Sequence, residues 1–208
     1  SALESGIERF VLISTDKAVN PINIYGATKL VSDKLFRNAH AYGGDRSPAF
    51  TVVRYGNVMG SRGSVVPYFR NLKARGEKTL PITDKRMTRF WITLEQGVEL
   101  VMKALTEGKG GEIFISRIPS CNIVDLARAI HPEAELEEIG VRPGEKLHEQ
   151  LLTEDEARST FDYGDHLVVY PLKVLESPGS MVAPGGKLVP KGFSYSSDNN
   201  PQMLTLDQ

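Results

Sequence analysis

Short apolar runs alternate with amphipathic segments over most of the first 130 residues, and this alternation limits the possible folds more than any other feature. We predict strands at residues 9–14, 50–55 and 112–116, with a short extended piece at residues 88–92. Helices are predicted between and after them, and in the first of these helices apolar residues recur at steps of three and four. Strands and helices in alternation are typical of an α/β fold with a parallel sheet.

The predicted helices cover residues 23–42, 65–75, 93–106 and 123–130. We expect the first to end at Gly43-Gly44 and the last to be capped by Asn122. After residue 150 the pattern weakens, and the last ~35 residues are rich in Gly, Pro, Ser and Asn, as is typical of irregular segments. We expect that tail to wrap a surface or a partner subunit.

Composition excludes several classes of function. The chain has 208 residues and a formal net charge of -1, which argues against nucleic acid or an acidic membrane surface as a partner. One cysteine, Cys121, excludes an internal disulfide and fits a reducing, cytoplasmic compartment. We interpret Cys121 as a packing residue, since no histidine lies near it in the sequence. The four histidines show no metal-ligand spacing, so no metal site is predicted.

Tyr25 and Lys29 are four residues apart, which places them on one face of the first predicted helix. A lysine ammonium one turn away favours the phenolate form of a tyrosine, and so does a positively charged oxidised nicotinamide. Such a pair can take a proton from a sugar hydroxyl as hydride leaves the same carbon. Taken alone, the spacing is also compatible with a surface tyrosine and a solvated lysine.

Thr15, Asp16 and Lys17 follow the first predicted strand directly. Thr15 can hydrogen-bond the hydroxyl that Tyr25 deprotonates. Asp16 is a candidate general acid if it is kept protonated, and Lys17 is a candidate base if burial and neighbouring positive charge keep it neutral. The alternative for Asp16 and Lys17 is a solvent-facing ion pair in a loop.

Four motifs, in order, resemble those of the inverting UDP-N-acetylglucosamine 4,6-dehydratases, a group of extended short-chain dehydrogenase/reductases. The motifs are STDKAVNPINIYGATK at residues 14–29, VRYGNVMGSRGSVVP at 53–67, ITDKRMTRFWIT at 82–93 and GVRPGEKLHE at 140–149. The segment YSSDNN at residues 195–200 is similar to the tail of the same group. The resemblance covers nearly the whole chain, and four ordered matches are far more specific than a tyrosine–lysine spacing.

The resemblance implies a lyase that removes water from UDP-N-acetylglucosamine through transient oxidation at C4, for surface-glycan or flagellin-glycan sugars. It implies that Tyr25 and Lys29 form the redox pair, that Asp16 protonates the leaving C6 hydroxyl, and that Lys17 handles the C5 proton. Related sugar dehydratases carry an Asp-Glu pair where this chain has Asp16-Lys17. That departure favours the C5-inverting members. The implied cofactor is NADP, with NAD possible.

Most of the substrate residues implied by the matched motifs lie between residues 57 and 145. Asn57 offers an amide in a glycine-rich turn, and arginine guanidinium groups suit phosphate oxygens. The set comprises Lys17, Asn57, Val58, Val65, Val66, Arg89, Arg142 and Glu145, and Asn57 also counts as a cofactor residue with Tyr25 and Lys29. Core packing is an equal alternative for Val65 and Val66.

By this resemblance, residues 1–58 are the C-terminal half of a Rossmann-type NAD(P)-binding domain with a parallel sheet. Residues 59–150 are expected to carry α/β substrate-binding elements interleaved with the last Rossmann helix and strand, and 151–208 the end of the substrate domain with an irregular tail. A glycine fingerprint for the cofactor phosphates is missing, so we expect roughly a hundred further residues upstream. We therefore expect the chain alone to be inactive.

Two alternatives stay open. A nucleotide-sugar 4-epimerase or reductase of the same family would use Tyr25 and Lys29 but have no task for Asp16 and Lys17. A non-catalytic nucleotide-sugar-binding fragment would keep the motifs as remnants. In either case we expect a UDP-sugar as the small-molecule partner and a homo-oligomer as the assembly.

Overall fold

The computed structural model describes residues 5–42, 48–172, 182 and 185–206. Two compact units are formed by these residues. The first takes the described residues of Ser1–Tyr55, Glu95–Arg117 and Gln150–Tyr195. The second takes those of Gly56–Leu94, Ile118–Glu149 and Ser196–Gln208.

The secondary structure alternates as the sequence predicts over the first 130 residues. The strands are β1 (Arg9–Ile13), β2 (Ala49–Arg54), β3 (Asn57–Val58), β4 (Thr79–Ile82), β5 (Thr88–Ile92), β6 (Ile113–Ser116), β7 (Ser120–Asn122), β8 (Glu135–Glu138), β9 (Gln150–Leu152), β10 (Thr160–Asp162), β11 (His166–Val169), β12 (Lys187–Leu188) and β13 (Tyr195–Ser196). The helices are α1 (Ile24–Tyr42), α2 (Val65–Ala74), α3 (Leu94–Glu107), α4 (Ile123–Ile130) and α5 (Glu154–Ala157), and a 3-10 turn covers Asp16–Ala18.

The first unit is built on a six-stranded sheet with the order β1-β2-β6-β11-β10-β12. β1, β2 and β6 are parallel, which confirms the predicted α/β fold with a parallel sheet. The next three strands run antiparallel to their neighbours, so the whole sheet is mixed. Val52, Val53 and Ile113 are fully buried, because the central parallel strands are covered on both faces.

The part of the sequence with the weakest pattern contributes to this sheet. β10 and β11 form a hairpin whose turn contains Gly164 at φ +94°. Their three and four residues are too few to show a strand period, although every residue of β11 is buried. The described residues of 150–195 therefore extend the first unit, and residues 173–181 and 183–184 of the expected tail lie outside the description.

The second unit contains two small sheets and two helices. β3 is parallel to β5, β5 is antiparallel to β7, and β4 is parallel to β8. α2 and α4 cover a core that includes Phe69, Leu80, Ile82 and Ala127. β3, β4, β7 and β8 were not predicted, because strands of two to four residues are shorter than the window in which periodicity is visible.

The predicted helix limits agree closely with the structure. The Asn122 side chain accepts a hydrogen bond from the Val124 amide at 2.7 Å, which confirms the predicted cap of α4. The predicted end of α1 at Gly43-Gly44 lies outside the described residues. In the part of the chain that the structure describes, no helix combines the length and the apolar character needed to cross a bilayer.

Candidate active site

The carboxyl end of β1 leads directly into the turn that carries Asp16 and Lys17. The Ser14 amide donates to the Val53 carbonyl at 2.8 Å, and the Asp16 amide donates to the Tyr55 carbonyl at 3.1 Å. These bonds continue the pairing of β1 with β2 beyond the last residue of β1. The turn is thereby held at the carboxyl edge of two parallel strands, where α/β sheets place their ligands.

Asp16, Lys17 and Thr15 are joined by a compact set of hydrogen bonds. Thr15 Oγ1 donates to Asp16 Oδ1 at 2.9 Å and accepts from the Lys17 amide at 3.4 Å. Lys17 Nζ also lies 2.9 Å from Asp16 Oδ1. The Asp16 side chain is fully buried, whereas the Lys17 side chain is 32% exposed. The pair is thus an ion pair with one buried member, and not the fully solvent-facing pair of the alternative interpretation.

The two oxygens of Asp16 have different surroundings. Oδ1 receives both hydrogen bonds, while Oδ2 is buried and has no hydrogen-bond partner among the residues that the structure describes. Buried polar atoms are normally satisfied, so such an atom needs an explanation. A protonated carboxyl group would donate through Oδ2 to an incoming hydroxyl, which is the arrangement that a general acid requires.

Tyr25 and Lys29 lie on the first two turns of α1. Asn23 Oδ1 accepts from the Gly26 amide at 2.8 Å and so fixes the start of this helix. The Tyr25 side chain is accessible, with Tyr25 53% exposed. Lys29 Nζ donates to the carbonyl of Ile13 at 3.2 Å, which ties the helix to the end of β1. The structure therefore brings Lys29 to the strand end that also bears Thr15 and Asp16.

Gly26 explains how α1 approaches the turn so closely. A Cβ atom at this position would lie 2.2 Å from the Lys17 carbonyl oxygen and 2.9 Å from Pro21 Cβ. Both distances are shorter than any real contact, so the backbone of α1 touches the turn directly. The sequence prediction did not single out Gly26, although its place immediately after Tyr25 was the available signal.

Tyr55 is a second residue that the sequence prediction did not assign. Burial raises the pKa of the Tyr55 phenol, and negative charge on Tyr25 raises it further. The two phenols are therefore close enough to influence each other, and Tyr55 stays protonated.

Asn57 and Val58 form β3 in the second unit, where both are half-buried. They pair with Trp91 and Ile92 of β5. Gly56 precedes them, and a Cβ atom there would lie 2.4 Å from Phe90 Cβ. The glycine in this motif consequently serves the close approach of β3 to β5, which fixes the Asn57 backbone.

Part of the Arg89 guanidinium group donates hydrogen bonds to the backbone of the 140–149 motif. Nη1 donates to the carbonyls of Thr88 at 2.8 Å and Leu147 at 3.0 Å, and Nη2 donates to Lys146 at 2.9 Å. A guanidinium group has five N–H donors. Nε–H and one Nη2–H have no acceptor among the residues that the structure describes, and donors of this kind suit phosphate oxygens.

Arg142 and Glu145 face each other across a tight turn. The Glu145 amide donates to the Arg142 carbonyl at 3.0 Å, and the Arg142 amide reaches Glu145 Oε2 at 3.4 Å. Gly144 between them has φ +82°, a conformation that favours glycine. The Arg142 residue is exposed, while Glu145 is half-buried and its carboxylate partly serves the turn.

Val66 lies in the core of the second unit, with 6% exposure and contacts to Trp91 and Cys121. Val65 is half-buried and packs beside the same cluster. Burial raises the pKa of the Cys121 thiol to about 11, as expected for a packing residue and not for a nucleophile. The structure thus places Val66 where it fills the core, and leaves Val65 partly accessible.

The 195–200 motif positions the end of the 140–149 motif. The Glu149 amide donates to Ser197 Oγ at 2.9 Å, and the Ser197 amide donates to the Glu149 carbonyl at 2.8 Å. Thr88 Oγ1 lies 2.8 Å from His148 Nδ1 and 2.7 Å from Ser197 Oγ. Three separated motifs therefore meet in one hydrogen-bonded network. No group of three or more His, Cys, Asp or Glu suited to a metal ion occurs among the residues described.

The parallel strands β1, β2 and β6, with a Tyr-Lys helix face and an Asp-Lys turn at their carboxyl edge, define a Rossmann-type short-chain dehydrogenase/reductase. The profile of one family, described as polysaccharide biosynthesis protein, matches residues 1–171. The chain belongs to this family.

Known proteins support that assignment at high similarity. A UDP-N-acetylglucosamine 4,6-dehydratase (inverting) from Campylobacter jejuni is 51% identical over 207 residues, which is 97% of this chain. The crystal structure of Pen from Bacillus thuringiensis is 35% identical with a TM-score of 0.86 and covers 99% of this chain and 62% of that one. The predicted resemblance to the inverting dehydratases is confirmed.

A more distant structure shares the fold alone. DesIV from Streptomyces venezuelae, a dTDP-glucose 4,6-dehydratase with NAD and TYD bound, is 23% identical with a TM-score of 0.62, over 70% of this chain and 52% of that one. The chain spans 62% of the length of the Campylobacter relative.

Proposed function

We propose that this chain carries the acid, base and substrate-binding residues of a UDP-N-acetylglucosamine 4,6-dehydratase that inverts C5. The observation that carries the proposal is the Asp16–Lys17 pair at the carboxyl end of β1, with Asp16 Oδ2 buried and unpaired within the described chain. An epimerase has no use for such a pair. The 51% identity to an inverting dehydratase supports the same activity.

The nicotinamide cofactor, for which we propose NADP with NAD as the alternative, supplies the hydride acceptor at C4 and the hydride donor at C6. Accessible Tyr25 and the Lys29 ammonium at the strand edge fit its usual position in Rossmann folds. Tyr25 takes the proton of the C4 hydroxyl, and Lys29 stabilises the phenolate. The Thr15 hydroxyl, which donates to Asp16 Oδ1 in the structure, would turn to donate to the oxygen of the same C4 group. Asn57 is proposed to contact both cofactor and substrate.

Once C4 is a ketone, the C5 proton becomes acidic. Lys17 in its neutral form removes this proton, and Asp16 gives a proton to the C6 hydroxyl, which leaves as water. A C5–C6 double bond forms. A hydride from the reduced cofactor would then add at C6, and a water molecule on the opposite face would give a proton to C5, which inverts that centre. The Lys17 proton returns to Asp16, and the proton that Tyr25 gained from the C4 hydroxyl passes to the hydroxide left by that water, so the protons balance.

The 2.9 Å contact between Lys17 Nζ and Asp16 Oδ1 suits this exchange of roles. Elimination leaves Lys17 protonated and Asp16 ionised. These are the charge states of an ion pair with the contact that the structure shows. Transfer of one proton from Lys17 to Asp16 then restores the neutral base and the acid.

The second unit is proposed to hold the nucleotide part of the substrate. The remaining Nε–H and Nη2–H of Arg89, together with exposed Arg142, would bind the diphosphate oxygens. Glu145 would accept from ribose hydroxyls. Val58 and Val65 would contact the base. Val66 is buried in the core and would pack behind these two side chains.

The decisive experiment joins this chain to the upstream portion of the Campylobacter relative and assays UDP-N-acetylglucosamine in deuterated water. We expect a 4-keto-6-deoxy product with deuterium at C5 and inverted configuration. Tyr25→Phe should stop all turnover, and Lys17→Ala should stop water loss. Thr28→Ala is the matched control, because Thr28 is exposed on α1 and its hydroxyl donates a hydrogen bond to the Tyr25 carbonyl of the same helix.

Each alternative predicts a different result. A 4-epimer without loss of water would show an epimerase, and tight binding without turnover would show a binding fragment. Retention at C5 would contradict inversion. For the assembled protein we propose a cytoplasmic location, which the single cysteine supports, and a homo-oligomeric state.

A further inference from the structure

A cavity of about 500 Å³ opens in the first unit and is separate from the proposed catalytic side chains. None of Thr15, Asp16, Lys17, Tyr25 and Lys29 lines it. Its charged walls come from α1, the end of β2 and the segment around α5. The charged lining residues are Lys34, Arg37, Arg54, Asp155, Glu156 and Arg158.

The charges of this cavity do not balance. Four cations line it against two carboxylates. Asp33 behind the wall pairs with Arg54 at 2.8 Å, and Arg54 also contacts Glu156 at 3.0 Å. Counting Asp33 as well still leaves one positive charge in excess, which an anion would compensate.

Arg54 offers that anion a preorganised donor. The residue is 1% exposed, so it is held rigidly by its surroundings. Nε donates to Asp33, and Nη1 donates to Glu156 and to the Leu151 carbonyl. Its Nη2 group has no hydrogen-bond partner in the described chain, and Arg54 lines the cavity. Two N–H donors on a fixed guanidinium are therefore available to a ligand.

Arg37 is a second partly buried cation of the cavity wall. Burial is the largest effect and lowers the pKa of Arg37, and the charge of Arg54 lowers it too, whereas Glu156, Asp33 and Glu112 raise it. A half-buried cation next to another cation is stabilised when an anion enters. Lys34 and Arg158 are exposed at the same cavity and complete the cationic side.

The remaining walls are apolar and large enough for more than an inorganic ion. Val19, Leu30, Val169 and Leu172 contribute to them. A cavity of this volume is in the range that binds small organic molecules. We propose that it is a binding site for a small phosphorylated organic molecule, whose phosphate contacts the guanidinium and ammonium groups while its body contacts the apolar walls.

The position of this site links it to the catalytic turn. Ala18, Val19, Asn20 and Pro21 form part of its wall, and they continue directly from Asp16-Lys17. The Val19 amide donates to the Asp16 carbonyl at 3.1 Å. A molecule in the cavity therefore touches the backbone that fixes Asp16, and its binding will change the stability of that turn.

Phenyl phosphate is the probe that tests the site, with inorganic phosphate and phenol as its two halves. The measurement is calorimetric titration of the chain together with its amide NMR spectra. We expect saturable binding of phenyl phosphate, weaker binding of inorganic phosphate, and shifts at the amides of residues 18–20. Lys34→Glu and Arg158→Glu should each weaken binding about tenfold or more, because each places a carboxylate beside the phosphate.

Arg70→Glu is the matched control, since it reverses the charge of an exposed arginine on α2 that has no assigned role, and it should leave this binding unaltered. If a charge reversal disturbs folding, as judged by circular dichroism, Lys34→Gln and Arg158→Gln replace the glutamate variants. Absence of saturable binding would overturn the proposal. So would cavity variants that bind normally, or an equal loss in Arg70→Glu. No turnover is measured, so the result is independent of the proposed dehydratase activity.

Discussion

Lys17 Nζ and Thr15 Oγ1 both lie 2.9 Å from Oδ1 of Asp16, whereas Oδ2 of that carboxylate is buried and unpaired within the described chain. One carboxylate therefore does two things. Oδ1 positions the amine, and Oδ2 is the atom that we propose donates to a substrate hydroxyl. A loop ion pair formed only for stability would gain by satisfying both oxygens, because an unsatisfied buried acceptor costs roughly 1–3 kcal/mol.

Asp16→Asn should separate oxidation from elimination. The amide keeps the size of the side chain but cannot give a proton to the C6 hydroxyl. In the polypeptide extended upstream as above, we expect water loss to slow by about 10²–10⁴-fold, the usual contribution of a general acid. Oxidation at C4 should continue, so reduced nicotinamide should accumulate and be visible by its absorbance. Unchanged water loss would remove Asp16 from the proposed chemistry.

Gly26→Ala should disturb the turn and the helix together. The new methyl group would lie 2.2 Å from the Lys17 carbonyl oxygen, so either the turn or the start of α1 must move. We expect a loss of roughly 1–3 kcal/mol in the free energy of unfolding, as for other overpacked sites. Chemical denaturation measures it.

The neighbouring Thr28→Ala is the control for that experiment, since Thr28 is exposed on the same helix. It should leave stability within about 0.5 kcal/mol of the parent, as surface changes usually do. If Gly26→Ala were as stable as Thr28→Ala, the close approach of α1 to the turn would be contradicted.

Periodicity in the sequence was enough to predict α1 to α4 and the three parallel strands, because those segments are long or strongly apolar. It missed β10 and β11, since three or four residues do not show a period. The chemistry at the end of β1 was predictable because Thr15, Asp16 and Lys17 are adjacent. The use of Arg89 was not, because its partners Lys146 and Leu147 lie more than fifty residues away.

Arg89→Met should loosen the 140–149 motif. The substitution keeps an unbranched side chain but removes three hydrogen bonds to carbonyls, and leaves those carbonyls partly unsatisfied. We expect opening of this segment to become easier by about 1–3 kcal/mol. Hydrogen exchange should show faster exchange at the amides of residues 145–149.

Arg142→Ala provides the comparison for Arg89→Met. Arg142 is exposed, and its hydrogen bonds within the described chain are made by its backbone, so removal of its side chain should leave exchange in this segment unchanged. Both variants should weaken UDP binding if both side chains contact the diphosphate. Equal exchange in the two variants would show that Arg89 does not hold the motif in place.

The buried Arg54 network should make stability depend on pH in a defined way. Burial raises the pKa of Glu156, but Arg54, the Thr153 amide and Arg37 together outweigh it and hold the pKa below its usual range. A carboxylate whose pKa is lowered by folding adds stability above its unfolded pKa of about 4.3. That contribution is lost as the pH falls from there through the folded pKa.

Glu156→Gln should therefore be less stable than the parent near neutral pH, and the difference should shrink as the pH falls below about 4.3. Denaturation curves over this range measure it. Glu154→Gln is the control, because it makes the same change on the same helix at an exposed position that does not contact Arg54.

Arg54→Met should cost about 3–5 kcal/mol, because it leaves Asp33 and Glu156 buried without their cation. Full stability of Arg54→Met would mean that the network does not stabilise the protein. It would also contradict the rigid Arg54 guanidinium on which the proposed phosphate site in the cavity of the first unit depends.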